Sequence, residues 1–238
     1  MNKVNFFNFD IYLSDTYSPD IPTLELTSDT KNFKPISIDW GDGKIDEAIG
    51  KIVFQDPNYY TISPGSANTY DKIGEYNLVQ KIEYDGDILS IPGKSKVWDK
   101  PLLDYSFATN SVSIKLKNDI PPNSIVNCYL TWSDGSVKIT QTLSNFNKEA
   151  TYKFQNPIGT NKLSIESEAV ITNKYINLLG KEVIGLISKT KLEGIEYVYK
   201  TEANDIVVND YSWLIVIFLI IIFILLVICI ILFFKKRL

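Results

Sequence analysis

The feature that most constrains this chain is a run of 22 uncharged residues, Trp213 to Phe234, made of Leu, Ile, Val and Phe with a single Cys. Wound as a helix at about 1.5 Å per residue, it reaches roughly 33 Å, enough to cross a hydrocarbon core of about 30 Å. Lipid offers no hydrogen bonds to a backbone, so a lone spanning segment has to be helical. The flanks suit that reading, with Tyr211 and Trp213 at one interface and Lys235, Lys236 and Arg237 at the other. A buried core helix of this length would show a polar stripe, and this run has none. The expectation is a single-pass membrane protein with the lipid bilayer as its first partner.

Two signals bear on orientation. The basic tail favours a cytoplasmic C-terminus, with Met1–Ser212 outside as in a type I protein. That arrangement calls for a signal peptide, but the apolar stretch near Met1 is broken by Asn5, Asn8 and Asp10 and lacks a small-residue cleavage site. The absent signal favours a tail anchor inserted after synthesis, with the globular part left in the cytosol.

The 212 residues before the anchor suit one large domain or two of about 100. With three of the 24 basic residues in the tail, this part holds 21 basic against 28 acidic residues, and no basic patch for nucleic acid is visible. Cys128 falls in an expected strand and Cys229 in the membrane, so they cannot pair within a chain. That suits a reducing compartment, or a core large enough to do without a disulfide. None of the 19 Asn lies in an Asn-x-Ser/Thr sequon. Histidine is absent, which excludes Ser–His–Asp and Cys–His catalysis and His-containing zinc sites. No catalytic or cofactor-binding residue emerges, and no cofactor is expected.

Before the anchor the chain reads as strands. Alternating runs at Thr23–Leu26, Pro35–Trp40, Tyr76–Tyr84, Ser111–Leu116 and Val137–Thr140 would each put one face in a core and one in water. Gly180 and Gly185 argue against a helix in the apolar segment Asn177–Ile187. A repeat is visible as well. Trp40-Gly41-Asp42-Gly43 returns 92 residues later as Trp132-Ser133-Asp134-Gly135. Thr69-Tyr70 followed by Gly74 has a parallel in Thr151-Tyr152 followed by Gly159. Pro- and Gly-rich punctuation sets the expected boundaries: a strand-rich domain over 1–100, a second over 101–201, a juxtamembrane linker over 202–212, the helix over 213–234 and a basic tail over 235–238.

At these residues the chain resembles the PKD (polycystic kidney disease) family of immunoglobulin-like β-sandwiches. Asp39-Trp40-Gly41-Asp42-Gly43 and Tyr70-x-x-x-Gly74-x-Tyr76 match the family's two signatures, with Thr69 where His is usual. The second copy, Trp132, Asp134, Gly135 and Tyr152, is degenerate: Ser133 replaces Gly and the Tyr–Gly spacing is longer. The resemblance implies an all-β fold of two tandem sandwiches, with Trp40 and Trp132 as core anchors. It also implies protein or glycan contacts and no catalysis.

Three functional readings follow. The favoured one is a non-catalytic, membrane-anchored interaction or structural protein. Its style suits a virion, where it would link an inner membrane to a capsid. The alternatives are a type I cell-surface adhesin or fusion factor, and a carboxylate-dependent hydrolase. Asp39, Asp42, Asp46 and Glu47 are candidate calcium ligands, although turn acids that cap backbone amides are far commoner. Tyr59 and Tyr60, on a long excursion between the Trp and Tyr strands, are candidate contact residues.

Overall fold

The structure, a computed structural model, describes residues 3–30, 32–47, 50–56, 58–133, 135, 138–154 and 159–201. The expected anchor and its flanks, Trp213, Phe234, Lys235, Lys236 and Arg237, lie outside the described residues, as does Asp134. Among the described residues every regular element is a strand.

The first half supplies β1 (Lys3–Phe6), β2 (Phe9–Tyr12), β3 (Thr16–Tyr17), β4 (Leu24–Thr27), β5 (Phe33–Asp39), β6 (Ile45–Asp46), β7 (Ile52–Asp56), β8 (Tyr59–Ile62), β9 (Asn68–Thr69), β10 (Gly74–Tyr84) and β11 (Asp87–Trp98). These form two main sheets, β1-β4-β8-β7 and β2-β11-β10-β5-β6, with a small β3-β9 pair beside them. Pairing is antiparallel except where β2 runs parallel to β11, with Phe9 opposite Ser95 and Ile11 opposite Val97. The leading strand thus starts on one sheet and crosses to the other. Leu24, Leu26 and Ile62 of one sheet meet Ile38, Leu78 and Ile82 of the other in a common core.

The second half supplies β12 (Leu103–Ala108), β13 (Ser111–Leu116), β14 (Ser124–Trp132), β15 (Lys138–Leu143), β16 (Glu149–Lys153), β17 (Gly159–Ile176) and β18 (Glu182–Thr201). Their sheets are β12-β13-β16 and β15-β14-β17-β18. Both halves have the strand order of an immunoglobulin-like sandwich, two antiparallel sheets with the connections crossing between them. The cores exchange one residue each way: Leu186 belongs to the first and Tyr12 to the second.

The two tryptophans hold matching places. Trp40 lies one step beyond the Asp39–Val79 pair, at the level of Leu78, and is fully buried. Trp132 lies opposite Leu163 and is also buried. Leu78 and Leu163 are each the fifth residue of a strand opening on glycine. Downstream, Gly74 and Leu78 match Gly159 and Leu163, but the Thr-Tyr pairs do not. Thr69-Tyr70 follows β8 on the way to β10, whereas Thr151-Tyr152 lies inside β16, the counterpart of β8.

The turns after the tryptophans differ for a steric reason. Gly41 has φ +74, and a Cβ there would stand 2.5 Å from the Asn77 carbonyl oxygen. Only glycine allows that approach. Ser133, at the matching position, is not among the residues with positive φ, and the left-handed step falls on Gly135. Gly41→Ala should therefore lower stability by about 1–3 kcal/mol in urea unfolding, while Ser133→Ala should stay within about 0.5 kcal/mol.

Candidate interaction surface

The acids around Trp40 are committed to the protein. Asp39 Oδ1 accepts the Gly41 N–H at 2.8 Å, and Asp42 Oδ1 accepts the Lys44 N–H at 3.0 Å. Asp42 also pairs with the Lys44 ammonium at 3.3 Å. Asp46 Oδ2 accepts the Trp40 indole N–H at 2.8 Å and a hydrogen bond from Ser66. Glu47 is exposed. These are the backbone-capping and side-chain-satisfying duties of turn acids. Among the described residues no group of three or more metal-ligating side chains converges.

The rest of the motif is equally structural. Tyr70 is buried, and its hydroxyl donates to the Trp40 carbonyl at 3.3 Å. Its ring lies 4.5 Å from that of Tyr76, whose hydroxyl donates to the Lys72 carbonyl at 2.7 Å. In the second sandwich, Trp132 packs edge-to-face on Phe154 and Tyr199. The Gly135 N–H closes the turn onto the Trp132 carbonyl at 2.8 Å. Tyr152 is half-buried against the same core.

Two expectations are corrected. Tyr59 and Tyr60 are not contact residues, since both are buried in the first sandwich. The run Thr23–Leu26 does not leave one face in water, since Thr23 and Glu25 are as buried as Leu24 and Leu26. For Glu25 the reason is long-range: the second half of the chain covers that face of β4.

The cover is an arm. β14 last pairs with β17 at Ser124–Ile171, but β17 and β18 continue as a two-stranded hairpin to Ile176–Glu182. The arm folds back onto the first sandwich. Tyr175 stacks on Phe7 with centroids 3.6 Å apart, and Leu186 enters the first core. At the tip, the Leu178 N–H donates to Glu25 Oε2 at 3.0 Å. Glu25 also accepts from Tyr59 at 2.6 Å and Asn5 at 2.9 Å. Burial and the adjacent carboxylate push the Tyr59 hydroxyl pKa well up, which keeps it a donor. A fully buried carboxylate is tolerated here because three donors surround it.

Further along, the arm caps the open edge of β2. Asn173 Oδ1 accepts the Asp10 N–H at 2.8 Å, and its Nδ2 donates to the Asp10 carbonyl at 2.8 Å. One side-chain amide thus does what the next strand of a sheet would do. Ser188 accepts the Tyr12 N–H at 3.4 Å and donates to Asp15. In return, Tyr12 sinks into the second core and bonds Ser124 through its hydroxyl. Beside this joint lies a polar cleft of about 310 Å³ whose walls include Asp10, Glu75, Lys94 and Lys174. Asp10 is engaged by the Trp98 indole at 2.8 Å, and Glu75 is exposed, 3.9 Å from the Lys96 ammonium.

The joint residues Asn5, Glu25, Asn173, Leu178 and Ser188 carry no motif. What sequence signal exists is the length of the strand-forming run after Gly159 and a carboxylate in an otherwise apolar strand.

No family model and no curated protein matches this chain. Solved structures are similar in outline. A cytokine receptor complex is 10% identical, covers 84% of this chain and 98% of its own, and superposes with a TM-score of 0.37. A segment of two fibronectin type III domains from chicken tenascin is 15% identical, with coverages of 79% and 97% and a TM-score of 0.32. Chicken CNTN1 FN1–FN3 domains are 9% identical, with coverages of 84% and 66% and a TM-score of 0.33. The fold assignment rests on the strand order, not on these superpositions.

Removing the Glu25 carboxylate leaves its donors unpaired in a buried site. Glu25→Ala should cost about 2–4 kcal/mol and raise hydrogen exchange at the Leu178 amide; intact protection there would contradict the joint. Asp15 supplies the pH test. Burial raises its carboxyl pKa, outweighing the hydrogen bond from Ser188. A carboxyl raised in the fold stabilises when protonated, and that contribution is lost as pH rises through the folded value. Asp15→Asn should therefore be more stable than wild type at neutral pH, with the difference shrinking as pH falls through and below the folded value.

Proposed function

We propose that this chain is a non-catalytic, membrane-anchored interaction or structural protein that holds two immunoglobulin-like sandwiches as one stiff body. The observation that carries the reading is the arm. A two-domain chain joined only at residues 99–102 would swing about that point. Here a second crossing, 70 to 90 residues further along the chain, ties the tip of β17–β18 to Glu25 and the edge of β2. A spacer that transmits position needs that stiffness.

The apolar run Trp213–Phe234 is the anchor in this reading, inserted as a tail anchor, with the sandwiches on the cytosolic face. β18 alone spans roughly 60 Å, so its ends present well-separated surfaces. We read the first sandwich as PKD-like, supported by the Trp40–Asp46 and Tyr70–Trp40 hydrogen bonds around its signature residues. The setting we favour is a virion membrane beneath a capsid, with a protein partner in the capsid.

Protease protection of the membrane-inserted chain tests the topology. Protease added from the cytosolic side should digest Met1–Ser212 and leave a short protected C-terminal fragment. Protection of the whole Met1–Ser212 segment would instead make the chain type I and point to a surface adhesin.

A further inference from the structure

The two sandwiches differ at one edge. In the first, the outer edge of β11 is covered by the chain's own β2, which pairs with Ser95–Trp98. Among the described residues the second has no counterpart of β2. β12 stays on the opposite sheet and turns directly into β13 at Thr109-Asn110. The sheet order ends at β18, and among the described residues no strand pairs with its outer edge. The registers show which stretch is bare. Gly93 lies across from Leu78 at the level of Trp40, and Tyr197 lies across from Leu163 at the level of Trp132. The stretch matching the covered part of β11 therefore starts at Tyr199.

Free edges are normally blunted by charge or by bulges. In β18 the bulge and a run of exposed charges fall before Ile195. Lys189, Lys191 and Glu193 are exposed there, and the ladder with β17 breaks its register beside Glu193 and Gly194. From Ile195 to Thr201 the ladder is regular, residue for residue. This half exposes Tyr197 and Val198, at 39% and 49%. Tyr197 leans on Phe107 with rings stacked 4.0 Å apart, on the same side as Ile195 and Tyr199. Glu196 and Val198, both exposed, alternate onto the other side.

That outer row is complementary to itself. An antiparallel copy of the strand, placed about a two-fold axis through Val198, sets Glu196 opposite Lys200 of the partner and Lys200 opposite Glu196. Val198 meets its own copy, and Tyr197 meets Tyr199 on the other side. Opposite charges, an apolar pair and aromatic pairs at directly opposed positions are what stabilise an antiparallel ladder. An interface in which one patch meets its own copy is how two-fold dimers close.

We propose that Ile195–Thr201 of β18 is a self-association edge, at which a second copy of this chain pairs antiparallel about Val198 and joins two sheets into one. The Lys162–Glu196 contact at 2.5 Å does not oppose this, since both side chains are about half exposed and such pairs contribute little. The pairing stands independently of membrane attachment, and an anchor only raises the local concentration that a short edge contact needs.

The test is disulfide capture in the full chain, with Cys229→Ser as background. Val198→Cys should give a disulfide-linked dimer under mild oxidation, and Ile88→Cys, exposed at 66% in the first sandwich, should not. Adding Glu196→Lys should lower capture about tenfold, through two like-charged cross-strand pairs, with circular dichroism and Tm unchanged. Adding Lys200→Glu to that variant should restore it. Capture at the Ile88→Cys level, or failure of the double reversal to restore it, would overturn the proposal. So would capture of a different protein, which would make the edge a site for a foreign strand. None of these results touches the protease-protection outcome, so the two readings fail separately.

Discussion

Glu25 is the point on which the architecture turns. A carboxylate with no exposure survives only when its oxygens are fully engaged, and its donors come from three places: Asn5 on β1, Tyr59 on β8 and the Leu178 backbone at the arm tip. The first two belong to the sandwich that owns it. The third comes from the other half of the chain, so Glu25 is satisfied only when the arm is docked. The polar group that would be a liability in an isolated first sandwich becomes the reason for the arm to stay down.

The same logic runs along the joint. β2 joins its sheet through one edge, leaving Asp10 and Tyr12 with backbone groups directed away from β11. Asn173 and Ser188 satisfy them without adding a strand. The apolar share comes from the Phe7–Tyr175 stack and the exchange of Tyr12 for Leu186 between cores. Hydrophobic contact supplies the adhesion and the hydrogen bonds set the register, so the joint has both strength and a defined angle. Among the described residues the latter half of β18 is left without a pairing strand, where the second sandwich shows no counterpart of the β2 that covers β11 in the first.

Much of the fold was legible because sandwich strands leave local marks. Alternation placed β5, β10, β13 and the start of β15, and Gly180 falls in the turn between β17 and β18 with φ +76. Trp40 and Trp132 proved equivalent because Trp132 ends β14 and Trp40 directly follows β5, the same strand of its own sandwich. The Thr-Tyr match proved accidental by position, since spacing in sequence cannot distinguish a residue inside a strand from one in the connection after it. The Asp cluster was open to two readings for a related reason: carboxylates that cap a turn and carboxylates that hold a cation look alike in sequence until their hydrogen-bond donors are known.

By itself, then, the amino-acid sequence determined the strand-rich class, the two-part plan, the buried tryptophans and an apolar segment long enough to span a bilayer. These follow from periodicity, composition and run length, all of which are local. Only the tertiary structure decided that Thr23 and Glu25 are buried, that Tyr59 and Tyr60 face inward, and that the chain after Gly159 reaches back to lock the halves together. The cover over Glu25 and the lock between the halves depend on contacts between residues some 150 to 175 positions apart, such as Glu25 with Leu178 and Asp15 with Ser188. No window along the chain contains both partners, so no pattern within a window could have shown them.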